Sequence, residues 1–186
     1  MVDSEFDPAT VLLEADLSRA DVRVLYDFCR DKSVVEFGCG GSTLLLARFC
    51  NKVVSYDTST AWINHTKKRL ELEASHTCEE IHLCGKTAPD NLPTADVYFL
   101  DGHSQLRAEW LATVICRRLA KTILVHDSRS PIMSSIATVL VHPIALSIRT
   151  VEYHYDNSNM LVVRIDDPVK YEDWNLTEPE NRLLKS

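Results

Sequence analysis

Val34-Val35-Glu36-Phe37-Gly38-Cys39-Gly40-Gly41-Ser42-Thr43 joins an apolar strand to a glycine-rich turn and then to a helix. A turn built on Gly38, Gly40 and Gly41 folds tightly and lets a ligand lie against the main chain. The apolar run Leu44-Leu45-Leu46-Ala47 then opens a helix whose N-terminal amides point back at that ligand. Such a turn suits a nucleoside. A dinucleotide-binding turn requires a third glycine three residues after Gly40, where Thr43 stands, and this weakens a nicotinamide reading.

The acidic-x-Gly-x-Gly-x-small pattern of Glu36, Gly38, Gly40 and Ser42 resembles motif I of the class I S-adenosylmethionine-dependent methyltransferases. The resemblance implies that these four residues hold the amino-acid end of that cofactor. A carboxylate suits an ammonium, whereas it repels a pyrophosphate.

The 186 residues suit one domain with a substantial core, expected over 1–166 and including an N-terminal helix, with 167–186 as a polar tail that Tyr171 and Trp174 could dock. No apolar run approaches the ~20 residues of a membrane span, and the N-terminus is acidic where a secretion signal is basic. These features predict a cytoplasmic protein that does not engage membranes. The six cysteines show no two-residue zinc-site gap and read as reduced thiols. In that setting the sequons at Asn64 and Asn175 are accidental. A net charge of -7 opposes nucleic acid, and the basic cluster Lys67-Lys68-Arg69 reads as a solvated helix face. A small-molecule or sugar substrate is the expected partner, with a homodimer compatible with the sequence.

Along the chain, a helix from Leu17 to Cys29 is capped by Ser18 with Leu17 as a staple, and a strand follows at Ser33 to Phe37. After the glycine turn and its helix, the pattern predicts a strand at Lys52 to Tyr56, a helix from Ala61 to Leu72 and a short strand at Ile81 to Cys84. A strand at Asp96 to Leu100, a helix from Gln105 to Leu119 and a strand at Thr122 to Val125 come next, and Pro131 opens a shorter helix. Ser147 to Tyr155 and Met160 to Ile165 flank the turn Asp156-Asn157-Ser158-Asn159 as an antiparallel hairpin. The fold class is α/β: Rossmann-like, doubly wound, a mostly parallel seven-stranded sheet closed by an antiparallel hairpin. This is the layout the resembled family implies for Leu17 to Ile165.

Asp57 stands at the end of the second strand, about 20 residues beyond the glycine turn, where an acid can accept both ribose hydroxyls. Thr58 follows on the same rim. In the resembled family the end of the third strand supplies adenine contacts, which here implicates Gly85. Trp62 could cover the adenine edge, although a place in the core is the plainer reading.

Asp101 and Asp127 end two strands expected to lie close in the sheet, beside His103 and His126. Their mutual repulsion must be relieved by a cation, a shared proton or separation. A divalent metal such as magnesium on Asp101 and Asp127 would do so and could hold a substrate hydroxyl, as in the catechol-type O-methyltransferases that the pair resembles. In those enzymes asparagine follows the second aspartate, whereas Ser128 stands here. The Asp-Gly-His and His-Asp-Ser sequences resemble small methyltransferases of bacterial or phage sugar and metabolite modification. Asp101, His103 and Asp127 are therefore the catalytic candidates, with His103 as general base and Asp101 also facing the cofactor. Cys39 lacks an evident base and fails as a nucleophile.

The leading expectation is a methyltransferase that uses S-adenosylmethionine and acts on oxygen or nitrogen of a small molecule or sugar. A catalytically silent module that binds the same cofactor is the alternative, and a nicotinamide oxidoreductase comes third. The stretch Asp101-Gly102-His103-Ser104 stands where amino-methylating DNA and protein enzymes carry a Pro-Pro-Tyr sequence, which points away from adenine and glutamine amides.

Overall fold

The computed structural model describes residues 17–73, 76–128, 134–141, 148–153 and 157–165. Helix α1 (Arg19–Cys29) precedes strand β1 (Ser33–Phe37), and α2 (Gly41–Phe49), β2 (Lys52–Asp57), α3 (Thr60–Leu70) and β3 (Cys78–Leu83) follow. The second half comprises β4 (Val97–Leu100), α4 (Ser104–Arg117), β5 (Thr122–Val125), α5 (Ser134–Val141), β6 (Ile148–Tyr153) and β7 (Leu161–Ile165). The strands form one seven-stranded sheet in the order β3-β2-β1-β4-β5-β7-β6. Pairs among β1 to β5 are parallel, and β7 runs antiparallel to both β5 and β6. The expected fold class is thus the observed one.

Helices cover both faces, so the central strands are apolar on both sides rather than alternating. Val34, Phe99, Leu124 and Val162 pack under α1, α2 and α3 with Val22, Leu25, Leu45 and Ile63. Their strand neighbours Val35, Tyr98, Ile123 and Val163 point the other way, onto Trp110, Leu111 and Val114 of α4 and Ile136 of α5. This explains why Val34-Val35, Tyr98-Phe99-Leu100 and Ile123-Leu124-Val125 read as unbroken apolar runs.

Winding reverses between β1 and β4, so their carboxyl ends open a crevice at the switch point, the usual ligand position in such sheets. The crevice is held tight by two glycines. Gly38 has φ of 102°, and a Cβ there would stand 2.4 Å from the Gly102 nitrogen. On the other side of Gly102 lies the Trp110 ring, 2.6 Å from where a Cβ would sit. Only glycine at both positions lets the two strand ends close on each other and on α4.

Several expectations shift. The third strand begins at Cys78, three residues before the expected start, because its edge position tolerates the exposed Glu79 and Glu80. The helix expected from Pro131 is described from Ser134, and 129–133 lie outside the described residues, as do Asp156 and the 167–186 tail with Tyr171 and Trp174. Trp62 is not core: it is 56% exposed. Among the described residues no cysteine is bonded to another, and no helix is long and apolar enough to cross a membrane.

Candidate functional site

A cleft of about 650 Å³ opens over the switch point. Its walls include Gly38, Gly40 and Ser42 from the β1 turn, Asp57 and Thr58 from the end of β2, Asp101 and His103 after β4, and Asp127 after β5. One cavity thus gathers most of the residues singled out from the sequence. Glu36 and Gly85 are not among its walls.

The turn is built by its own side chains. Glu36 is fully buried beneath it and accepts hydrogen bonds from Ser42 Oγ at 2.5 Å, Thr43 Oγ1 at 2.6 Å and the Ser55 hydroxyl. Burial pushes its carboxyl up to about 7, against the pull of those three donors. Thr43 Oγ1 in turn accepts the Gly40 amide at 2.8 Å. Glu36 therefore shapes the turn from behind rather than from the cleft side. Thr43, which displaces the third glycine of a dinucleotide turn, is part of that brace.

Asp57 faces the cleft from the opposite wall. Its Oδ2 accepts the Cys39 amide at 3.0 Å and its Oδ1 the Ser59 amide at 2.7 Å. Each oxygen keeps a further lone pair for a ligand. A Cβ built on Gly40 meets nothing within 4 Å, so the turn leaves open space on its cleft side. Burial pushes the Cys39 thiol up to about 12, which agrees with its inertness as a nucleophile.

At the other end, β4 and β5 deliver a compact charged cluster. His126 Nδ1 lies 2.7 Å from Asp101 Oδ1, and Arg107 of α4 reaches Asp101 Oδ1 at 3.4 Å and Asp127 Oδ2 at 3.2 Å. Arg107 also donates to the carbonyls of Gly102 at 2.8 Å, His126 at 2.6 Å and Asp101 at 3.0 Å, which ties both strand ends to α4. The His126 imidazole is 2% exposed. Burial alone would lower its pKa, but contacts with Asp101 and Asp21 outweigh it and raise it to about 10. Asp127 takes φ of 53°, a left-handed conformation that turns its side chain back over the cluster.

The repulsion expected between Asp101 and Asp127 left a cation, a shared proton or separation as its relief, and the fold sets the Arg107 guanidinium and the His126 ring against the pair. One donor atom each from Asp101, His126 and Asp127 can be chosen within 4.8 Å of one another, as a metal site needs. The set does not fit a divalent ion, however. A ligating histidine must offer a lone pair, whereas His126 directs Nδ1 at Asp101 Oδ1, 2.7 Å away, and Nε2 at Asp21 Oδ2, 3.5 Å away. The Arg107 guanidinium already occupies the position between the carboxylates. In this arrangement Asp101 and Asp127 share an ion-pair network with Arg107 and His126.

His103 is exposed at the rim and caps α4, its Nδ1 accepting the Gln105 amide at 3.4 Å. Arg107 and Asp21 were missed from the sequence, yet each carries a signal. Arg107 shares the buried face of α4 with Trp110, Leu111 and Val114, and Asp21 shares that of α1 with Val22, Leu25 and Phe28. A charge within an apolar helical stripe has to find partners inside the protein.

No family model matches the sequence, and no curated protein matches it. Solved structures do resemble the fold. The S-adenosylhomocysteine-bound Podospora anserina methyltransferase PaMTH1 aligns with a TM-score of 0.60 at 15% identity, over 78% of this chain and 76% of its own. A methyltransferase-like protein from Silicibacter pomeroyi aligns at 0.59 and 15% identity, over 92% and 95%. A Streptococcus mutans protein described as a methyltransferase, in complex with S-adenosylhomocysteine, aligns at 0.56 and 13% identity, over 77% and 96%. At such identities the likeness speaks for architecture alone: the chain adopts the class I S-adenosylmethionine-dependent methyltransferase fold.

Proposed function

We propose that this chain transfers a methyl group from S-adenosylmethionine to an oxygen or nitrogen of a small-molecule or sugar acceptor. The observation that carries the reading is that one cleft is walled by both the glycine turn after β1 and the Asp57 carboxylate after β2. An acid opposite a backbone turn suits a ribose, with α2 amides left for the carboxylate of the cofactor's amino-acid end. Two of the fold neighbours were solved with S-adenosylhomocysteine bound, which supports the same cofactor here. A volume of about 650 Å³ falls within the range of ~300–1,000 Å³ usual for small-molecule sites. The net charge of -7 also disfavours a nucleic-acid acceptor.

When bound, the cofactor supplies an already activated methyl on a sulfonium, so the protein has mainly to align and desolvate the acceptor. Asp101 is held through Oδ1 by His126 and Arg107, and its Oδ2 remains for the acceptor or the cofactor ammonium. His103, at the rim, takes the acceptor's proton at Nε2. That step requires the Nδ1–H tautomer and loss of the Gln105 contact, which at 3.4 Å is marginal and costs little. Asp127 screens the far side of Arg107 and borders the acceptor's end of the cleft.

Calorimetric titration with S-adenosylmethionine and S-adenosylhomocysteine tests the reading first. Binding in the micromolar range is the expected result. No heat at millimolar nucleoside, or protection by NADH instead, would refute it.

A further inference from the structure

Asp21 lies on α1, outside the cleft, yet it is 0% exposed. Its Oδ1 accepts from Ser158 Oγ at 2.7 Å and the Asn159 amide at 2.8 Å, and its Oδ2 from Ser18 Oγ at 2.6 Å and the Ser18 amide at 3.0 Å. The same Oδ2 faces His126 Nε2 at 3.5 Å, and the opposite ring nitrogen of His126 is 2.7 Å from Asp101. A carboxylate, an imidazole and a second carboxylate thus run in line from the first helix to the cleft, where Asp101 emerges 20% exposed. A helix cap alone does not call for burial, since capping residues work at the surface. What the buried position adds is the contact with His126.

We propose that Asp21 is a positioning residue, which through His126 fixes the Asp101 carboxylate on the cleft wall. This rests on the reading of the cleft as a site for S-adenosylmethionine. His126 Nε2 is buried and makes no hydrogen bond among the described residues, so the Asp21 carboxylate that faces it at 3.5 Å is the charge that holds that side of the ring. Without Asp21 the ring is free to turn, and Asp101 keeps only the longer Arg107 contact at 3.4 Å. Metal-ligating histidines are oriented by an acid on the far nitrogen in the same way, and here a carboxylate takes the place of the metal. The link also fastens α1 and the turn before β7 to the cleft, so three segments distant in sequence converge on one imidazole.

The probes are S-adenosylhomocysteine and sinefungin, an analogue that carries an amine where the transferable methyl would sit. That amine reports on a carboxylate held at the reacting position. Wild-type protein should bind sinefungin more tightly than S-adenosylhomocysteine. Asp21→Asn should shrink that preference about fivefold or more while moving the S-adenosylhomocysteine constant less than about twofold, and Asp21→Asn combined with His126→Asn should do no more than His126→Asn alone. Ser158→Ala, which removes one of the two donors to Asp21 Oδ1 and the acceptor of the Met160 amide but leaves the His126 side of Asp21 untouched, should lower the Tm and leave the preference intact. An unchanged preference in Asp21→Asn, or additive losses in the double variant, overturns this inference and leaves the cofactor reading standing. Failure of wild-type protein to bind either nucleoside overturns the cofactor reading and this inference with it. Should Asp21→Asn not fold, NMR of the wild-type protein decides: His126 should show two slowly exchanging imidazole N–H signals, and a single one overturns the link.

Discussion

The Asp57 carboxylate accepts the Cys39 backbone amide at 3.0 Å, so the acid that faces the cleft also ties down the glycine turn across from it. Ligand contact and loop geometry therefore depend on one side chain. On the proposed reading, Asp57→Ala removes ribose hydrogen bonds to a charged acceptor worth about 2–3 kcal/mol, and should weaken S-adenosylhomocysteine about 30- to 160-fold by calorimetry. An unaltered constant would place the ribose elsewhere.

Two buried groups make stability fall as pH rises, in successive windows. Glu36 titrates at about 7 in the folded chain, mainly through burial, against 4.5 as its ordinary value. Between those values the folded chain holds a proton that the unfolded chain has released, so stability declines from about pH 4.5 to 7, by an amount on the order of 3 kcal/mol. His126 continues the trend. Its pKa is raised from 6.5 to about 10, so its contribution is fully present below pH 6.5 and is lost as pH climbs towards 10. Urea denaturation from pH 5 to 9.5 should show Glu36→Gln flattening the lower window and His126→Asn the upper one. His126→Asn should also cost about 3–5 kcal/mol at neutral pH, because it leaves the buried Asp21 without its facing cation and Asp101 with Arg107 alone.

Chelation provides an independent check on the ion-pair network. With Arg107 between Asp101 and Asp127, EDTA should leave both the Tm and S-adenosylhomocysteine affinity unchanged, and added manganese or magnesium should not raise the Tm. A metal-dependent rise of several degrees would mean that an ion displaces the guanidinium.

The backbone contact between Gly38 and Gly102 predicts intolerance of even one methyl group. Gly38→Ala places a Cβ 2.4 Å from the Gly102 nitrogen at φ of 102°. A cost of at least about 2 kcal/mol is expected, which lowers the Tm by roughly 4–8 °C in a chain of this size. Gly40→Ala meets open space and should be nearly neutral for stability while narrowing the cleft, so thermal melts of the pair separate packing from binding.

The architecture was legible because its signals are local: apolar runs ended by Gly38, Asp57, Asp101 and Asp127 mark strand ends, and strand ends in a parallel sheet share one rim. The electrostatics of the site was legible only as a problem. Asp101 and Asp127 called for relief by a cation, a shared proton or separation, but which of these the fold provides depended on which residue of α4 the packing turns inward, and that is a tertiary fact. Arg107 reads as one more arginine until Trp110, Leu111 and Val114 are seen to bury the face it shares. Asp21 reads as an ordinary N3 cap residue, and its second role arises from Ser158 and His126, both more than 100 positions away. Trp62 went the other way, its aromatic bulk suggesting core where the fold leaves it at the rim of the cleft.

That exposed indole is a built-in reporter. Trp62 lies on the first turn of α3, just after Asp57, packs only edge-on against His65 with centroids 5.8 Å apart, and lines the cleft. Trp110 is buried against Phe37 and shielded from any ligand in that cleft. A nucleoside whose ribose is held by Asp57 brings its base within reach of Trp62, so saturation with S-adenosylhomocysteine should change tryptophan emission. The change should vanish in Trp62→Leu, with affinity reduced about two- to twelvefold for the loss of aromatic contact worth ~0.5–1.5 kcal/mol. If Trp62→Leu retains the full spectral change in a Trp174→Leu background, the base does not reach α3.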